Sequence, residues 1–136
     1  MTGILVNIDV DDLKRAERFY CEAFGLRLGR PIGPDATELL GWPAPLYLLE
    51  TAAGSAPLPA ASTRRDYARH WTPVHLDIVV DAIEPARARA IAAGATAEGE
   101  VRTPAFGRIC QLADPFGHGL CLIEFNERGY DALSEP

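Results

Sequence analysis

No run of apolar residues in this chain approaches the eighteen or so needed to span a bilayer, so no membrane partner is expected. Lysine is nearly missing. Lys14 stands alone beside twelve arginines, a compositional bias that carries no functional reading. Basic charge as a whole is short: 13 Lys and Arg against 19 Asp and Glu leave a net charge of -6. Phosphate backbones reward the opposite balance, which argues against nucleic acid as the main partner. Cysteine is scarce and odd in number. Cys21, Cys110 and Cys121 lack metal-finger spacing and are read as reduced thiols rather than a disulfide framework. The opening Met1-Thr2-Gly3-Ile4 has neither the basic nor the apolar region of an export signal, and with the thiols it points to the cytoplasm. What is present, 136 residues with 48% apolar and 24% charged, is the makeup of one soluble globular domain.

Against these absences stands a duplication. Val10-Asp11-x-Leu13 opens a run to Ala23-x-Gly25, and Val80-Asp81-x-Ile83 opens a run to Ala93-Gly94. The half-ends match as well, Leu46-Tyr47-Leu48-Leu49-Glu50 against Leu120-Cys121-Leu122-Ile123-Glu124. Two copies are too few for a solenoid and indicate a pseudo-twofold pair of modules.

Residues 3–10 read as a strand through Ile4, Val6, Ile8 and Val10. Asp11 or Asp12 then caps a helix whose apolar face is Leu13, Ala16, Phe19, Tyr20 and Ala23, and Gly25 ends it. Three short strands follow up to residue 50, with Gly41-Trp42-Pro43 at one bend. Residues 51–73 form a connector, Ala/Pro/Ser-rich and then basic with Arg64, Arg65 and Arg69. The second half repeats the order: a strand over 74–80, a helix opened by an Asp81/Glu84 capping box and closed by Gly94, then strands near 97–102, 107–113 and 119–125. Each half is therefore β-α-β-β-β. The expected organisation is a single domain with modules at 3–50 and 74–125, the connector 51–73 and a tail 126–136.

The duplicated order, the Asp114-Pro115-x-Gly117 turn before the last strand, and Phe19-Tyr20 followed by Phe24-Gly25-Leu26 together resemble the vicinal oxygen chelate superfamily. That superfamily includes glyoxalase I, bleomycin-resistance proteins, extradiol dioxygenases and methylmalonyl-CoA epimerase. The resemblance covers roughly residues 3 to 125. It implies an α+β fold in which two β-α-β-β-β modules form a curved mixed sheet around a cavity, and it implies a homodimer.

Metal enzymes of this superfamily usually take one ligand from the first strand and one from the last strand of each module. Carried onto this chain, the first-strand positions are Leu5 and His75, and the last-strand positions are Tyr47 and Cys121, where relatives usually carry Glu. Leu5 binds no metal, and a Cys121 thiolate selects a softer ion than carboxylate-rich sites do. Glu50 and Glu124 lie three residues beyond the expected ligands, and odd spacing on a strand puts them on the opposite face. Asn7 and Asp9 share the face of Leu5, and Asp77 that of His75, which offers a polar or metal-binding pocket shifted along the strands.

Three functions follow from this degenerate set. The first is a metal-independent protein that holds a small organic molecule in a cavity. Trp42, Tyr47, Trp71 and Phe106 would line it, His75 would anchor the ligand, and Asn7, Asp77 and Cys121 would stand nearby. The second is a divalent-metal lyase, isomerase or dioxygenase of glyoxalase type, with His75 and Cys121 as surviving ligands. The third is metal-free acid–base catalysis with His75 as base and Tyr47 or Asp77 assisting. No cofactor is expected under the first and third; a divalent ion stays open under the second. Plainer roles stand beside these: Cys121 as a buried small hydrophobe, Tyr47 as packed core, Trp42 and Trp71 as lids, His118 as a solvated hairpin tip, and the arginine cluster as a solvated face.

Overall fold

The computed structural model describes residues 2–134, and it falls into two compact units that meet between Ala68 and Arg69. The first contains β1 (Val6–Val10), α1 (Leu13–Phe24), β2 (Arg27–Pro31), β3 (Ala36–Leu40) and β4 (Leu46–Glu50). The second contains β5 (Leu76–Val79), α2 (Ile83–Ala93), β6 (Thr96–Ala97), β7 (Gly107–Ala113) and β8 (Gly119–Phe125), followed by a 3-10 turn at Gly129–Ala132. Each unit carries one four-stranded sheet, in the orders β1-β4-β3-β2 and β5-β8-β7-β6. The first and last strands of each unit pair in parallel, and the remaining pairs are antiparallel. The duplication in sequence is thus a duplication in topology. Among the described residues no helix is long and apolar enough to cross a membrane.

In the first module α1 buries Leu13, Ala16, Phe19, Tyr20 and Ala23 over Leu39, Leu46 and Leu48 of the sheet. Phe19 and Tyr20 meet edge to face with ring centroids 5.0 Å apart. Glu17 faces this core, where its Oε1 accepts from the Thr37 hydroxyl at 3.0 Å, so the buried carboxylate is not left unsatisfied. Gly25 closes α1 in the left-handed conformation, φ 69°, and its N–H donates to the Cys21 carbonyl. In the second module Ile83, Ala90, Cys110, Leu112, Phe116, Leu120 and Leu122 form the core. Asp114 is buried in the β7–β8 hairpin and accepts from the N–H groups of Phe116 (2.8 Å) and His118 (2.9 Å).

The helix starts differ from the local signals. Asp12 does cap α1, accepting from the Arg15 N–H at 3.1 Å, but the Leu13 N–H goes to Glu50 Oε2 at 2.7 Å. The equivalent bond in the second module runs from the Ile83 N–H to Glu124 Oε2, also 2.7 Å. No Asp81/Glu84 capping box forms there: the N-cap is Ala82, without a side-chain cap, and Glu84 is drawn instead to Arg108. A carboxylate at the end of the parallel strand reaches the first orphan N–H from across the sheet, which makes the local cap unnecessary. The strand expected near 97–102 shrinks to Thr96–Ala97 plus one bridge between Arg102 and Ile109. Gly99 interrupts it at φ +115°, a conformation that side chains rarely adopt.

These cross-sheet caps predict a hierarchy. Glu124→Ala should destabilise the protein by about 1–2 kcal/mol in urea unfolding, because it orphans a helix-terminal donor. Asp81→Ala and Glu84→Ala should each cost less than Glu124→Ala. The reverse order would restore the local capping box.

Candidate functional site

Strand alternation and parallel register assemble the polar group of the second module. His75 immediately precedes β5, and Asp77 lies two residues on, so both side chains emerge from the same face. In the β5–β8 ladder Asp77 is directly beside Cys121. Leu120 and Leu122 turn to the core under α2, which leaves Cys121 on the face opposite the helix. His75 Nε2 stands 3.1 Å from Asp77 Oδ1. Donor atoms of His75, Asp77 and Cys121 all lie within 4.8 Å of one another. His75 and Asp77 are open to solvent, whereas Cys121 is buried. Burial above all, then the Asp77 charge and the hydrogen bond to it, pushes the Cys121 thiol up to about 11. At neutral pH it is a thiol that donates to Asp77.

Beside this group Arg69 makes a two-point ion pair with Glu98, Nε to Oε2 at 2.8 Å and Nη2 to Oε1 at 2.9 Å. It also donates to the His70 carbonyl. The guanidinium lies across Gly119, where a Cβ would displace it. Gln111 is directly across from Cys121 in the β7–β8 ladder. Arg69, Trp71, Gln111 and Gly119 join His75 and Cys121 around a hollow of about 20 Å³, room for about one water molecule. Trp71 is 67% exposed, with its ring centroid 6.1 Å from that of His75. Arg69, Glu98 and Gln111 carry no local sequence signal for this site.

The first module presents different chemistry at the matching positions. Leu5 is 62% exposed and apolar. Asn7 is exposed and is paired in register with Tyr47. The half-buried Tyr47 hydroxyl donates to Glu38 Oε2 at 2.8 Å, and Arg30 Nε sits 3.5 Å from Glu38 Oε1. That hydrogen bond, then burial and the Glu38 charge, raises the Tyr47 phenol above its ordinary range. Asp9 is held by Arg65 at 2.9 Å, which ties the connector back onto β1. The expected arginine cluster is therefore divided. Arg65 and Arg69 are each committed to a carboxylate, and Arg64 donates to the Ala61 carbonyl.

Trp42 packs on Phe24 in the first module at a centroid distance of 5.8 Å. Phe106 belongs to a cluster with Phe125 and Tyr130 of the C-terminal turn, at 6.1 and 5.2 Å, and does not line the hollow beside His75. His118 is half-buried rather than solvated, because its N–H is tied to Asp114.

The glyoxalase-like domain matches this chain over residues 5–123. The protein belongs to that family. Its fold is that of the vicinal oxygen chelate superfamily, α+β with paired β-α-β-β-β modules. A glyoxalase-related enzyme from Fulvimarina pelagi is similar at 20% identity and TM-score 0.70, over 91% of this chain and 88% of its own. The fosfomycin resistance protein FosX from Listeria monocytogenes is similar at 15% identity and TM-score 0.70, over 94% and 97%. A lactoylglutathione lyase from Agrobacterium tumefaciens is similar at 19% identity and TM-score 0.61, over 91% and 94%. At these identities the likeness concerns the fold. No curated protein matches the chain in sequence.

The ion pair beside the site carries a pH signature. Arg69 holds the Glu98 carboxyl below its usual value, chiefly through their hydrogen bonds. A carboxylate with a lowered folded pKa contributes stability above its unfolded pKa and loses it as pH falls through the folded one. Arg69→Met should therefore cost about 0.5–1 kcal/mol at pH 7. The gap to the parent should close in urea titrations as pH falls below the usual carboxylate range. A gap unchanged in acid would assign the loss to packing instead.

Proposed function

We propose that this glyoxalase-like protein binds a small oxygen-bearing organic molecule without the four-ligand metal centre of its enzyme relatives. The observation that carries this reading is the first module's lack of ligands. Leu5 has no donor, the Tyr47 hydroxyl is committed to Glu38, and Glu50 is turned to the helix face, where it caps α1. Glu124 is turned away in the same manner. Neither glutamate can replace the missing ligand without giving up a helix start. The carboxylate-rich metal set implied by the superfamily does not fit this chain.

Polar anchoring falls to His75 and Asp77 in the second module, with Trp71 as an exposed aromatic wall and the Cys121 thiol at the base. The fosfomycin resistance protein FosX among the structural neighbours supports a small organic ligand. The three unpaired thiols support a reducing, cytoplasmic compartment.

A second reading is favoured by one distance. Asp77 at 3.1 Å from His75 Nε2 is the arrangement that orients an imidazole for proton transfer. Under it His75 is the base and Asp77 fixes its orientation.

Thermal-shift screening of metal-free protein against small oxygenated compounds, followed by titration of a hit into His75→Ala, separates the two. Binding alone predicts affinity weakened about 3–10-fold, the loss of one or two hydrogen bonds. Catalysis predicts turnover reduced at least about 100-fold in both His75→Ala and Asp77→Asn. Hits bound equally well by the parent and His75→Ala would remove His75 from the site.

A homodimer is part of the same proposal. β1 and β5 are edge strands of their sheets, and Leu5, Val74 (84% exposed) and Val79 (62%) leave apolar side chains open on or beside them. Light scattering should give a mass near two chains, and a mass near one chain would end this part of the reading.

A further inference from the structure

The hollow beside His75 has a volume of about 20 Å³, room for about one water and far less than an organic molecule fills. Entry of a ligand therefore needs part of the wall to move. We propose that residues 69–74 form a flap over this hollow and that the Arg69–Glu98 ion pair is its latch. The inference rests on the ligand-binding reading and adds to it how the site is opened.

Residues 69–74 carry neither helix nor strand, and β5 begins only at Leu76. Arg69, Trp71 and Thr72 line the hollow from this segment, whereas Gln111, Leu112 and Cys121 line it from β7 and β8. The sheet side cannot yield without breaking ladder hydrogen bonds, so the segment is the side that gives way. Around Pro73, whose ring fixes its own backbone angle, Thr72 Oγ1 donates to the Val74 carbonyl at 3.0 Å. That bond stiffens the end next to β5 and lets the segment move as one piece. Trp71 rides on it, 67% exposed, with its ring 6.1 Å from that of His75. An indole held in water there is apolar surface for a ligand to cover.

The latch is directional but weak. Arg69 Nε and Nη2 meet the two Glu98 oxygens at 2.8 and 2.9 Å, a two-point pairing that fixes orientation as well as distance. Each of the two side chains is 31% exposed, so water and salt screen the pair. Gly119 leaves the guanidinium its room. The nearest atoms that a Cβ at this position would meet all belong to Arg69, and Gly119 is not a positive-φ glycine. Close approach of the latch is thus the constraint that a side chain at 119 would violate.

The test uses N-ethylmaleimide as its probe and no ligand. The reagent is larger than the hollow, so it reaches the buried Cys121 thiol when the flap lifts, and peptide mass spectrometry reads each cysteine separately. Arg69→Met and Glu98→Gln should each speed Cys121 labelling about 2–5-fold, the worth of an exposed ion pair. Gly119→Ala keeps both partners, takes the guanidinium's space, and should act in the same direction. Salt at about 1 M should speed labelling in the parent more than in Arg69→Met. Dilute urea separates a flap from unfolding. Cys121 labelling should depend on urea weakly, because local opening exposes little surface, whereas labelling of the fully buried Cys110 should rise with the slope of global unfolding. Cys121 rates unchanged in all three variants, or a Cys121 urea slope equal to that of Cys110, would overturn the flap. Either result leaves the binding reading standing, and a ligand screen without hits would remove that reading while the labelling still reported on the flap.

Discussion

One carboxylate per module ties the architecture together. Glu50 and Glu124 end the last strand of their modules, and each accepts the first free N–H of the preceding helix at 2.7 Å. This bond fixes more than a helix end. Side chains alternate along a strand, so committing residue 50 or 124 to the helix face commits residues 47 and 121 to the other. The cap and the functional face are therefore one decision. A carboxylate that secures the helix is lost to the site, and the residue three positions earlier is delivered to it. The same parity explains why the two modules share a topology while presenting different chemistry: the tie is common, and the delivered residue is free to be Tyr47 in one and Cys121 in the other.

The two open faces have diverged accordingly. In the first module the polar groups satisfy one another, with Tyr47 on Glu38, Arg30 beside it and Asp9 held by Arg65. In the second a comparable pair, Arg69 with Glu98, stands to one side of His75, Asp77 and Cys121, whose donor atoms lie within 4.8 Å of one another. A closed polar network gives rigidity, and an open one gives a site.

Much of this was legible in the chain because the informative signals are local. The α1 face follows from apolar spacing. The β7–β8 hairpin at 107–113 and 119–125 follows from two apolar runs around Asp114-Pro115-x-Gly117, and His75 with Asp77 follows from a spacing of two. What escaped depends on distance along the chain. The α2 start is governed by Glu124, forty-one residues from Ile83, which outcompetes the local Asp81/Glu84 pattern. Arg69 and Glu98 are separated by twenty-nine residues. The contact of Asp77 with Cys121 exists only through parallel pairing. Phe106 looked like a cavity wall from its type alone, and it went instead to Phe125 and Tyr130 because the C-terminal turn folds back onto it.

The short hairpin between β7 and β8 has a meaning for how this gene can vary. Asp114 clamps the turn through two backbone N–H groups, and the strand that leaves it reaches Cys121 after a set number of residues. Inserting or deleting a single codon there would exchange the two faces of β8, turning Leu120 and Leu122 away from α2 and the thiol toward it. The side chain at the matching position differs between the two halves, Tyr47 in one and Cys121 in the other. The length of the turn can alter only in steps that preserve parity, so the lineage explores new chemistry by substitution while its reading of in and out stays frozen.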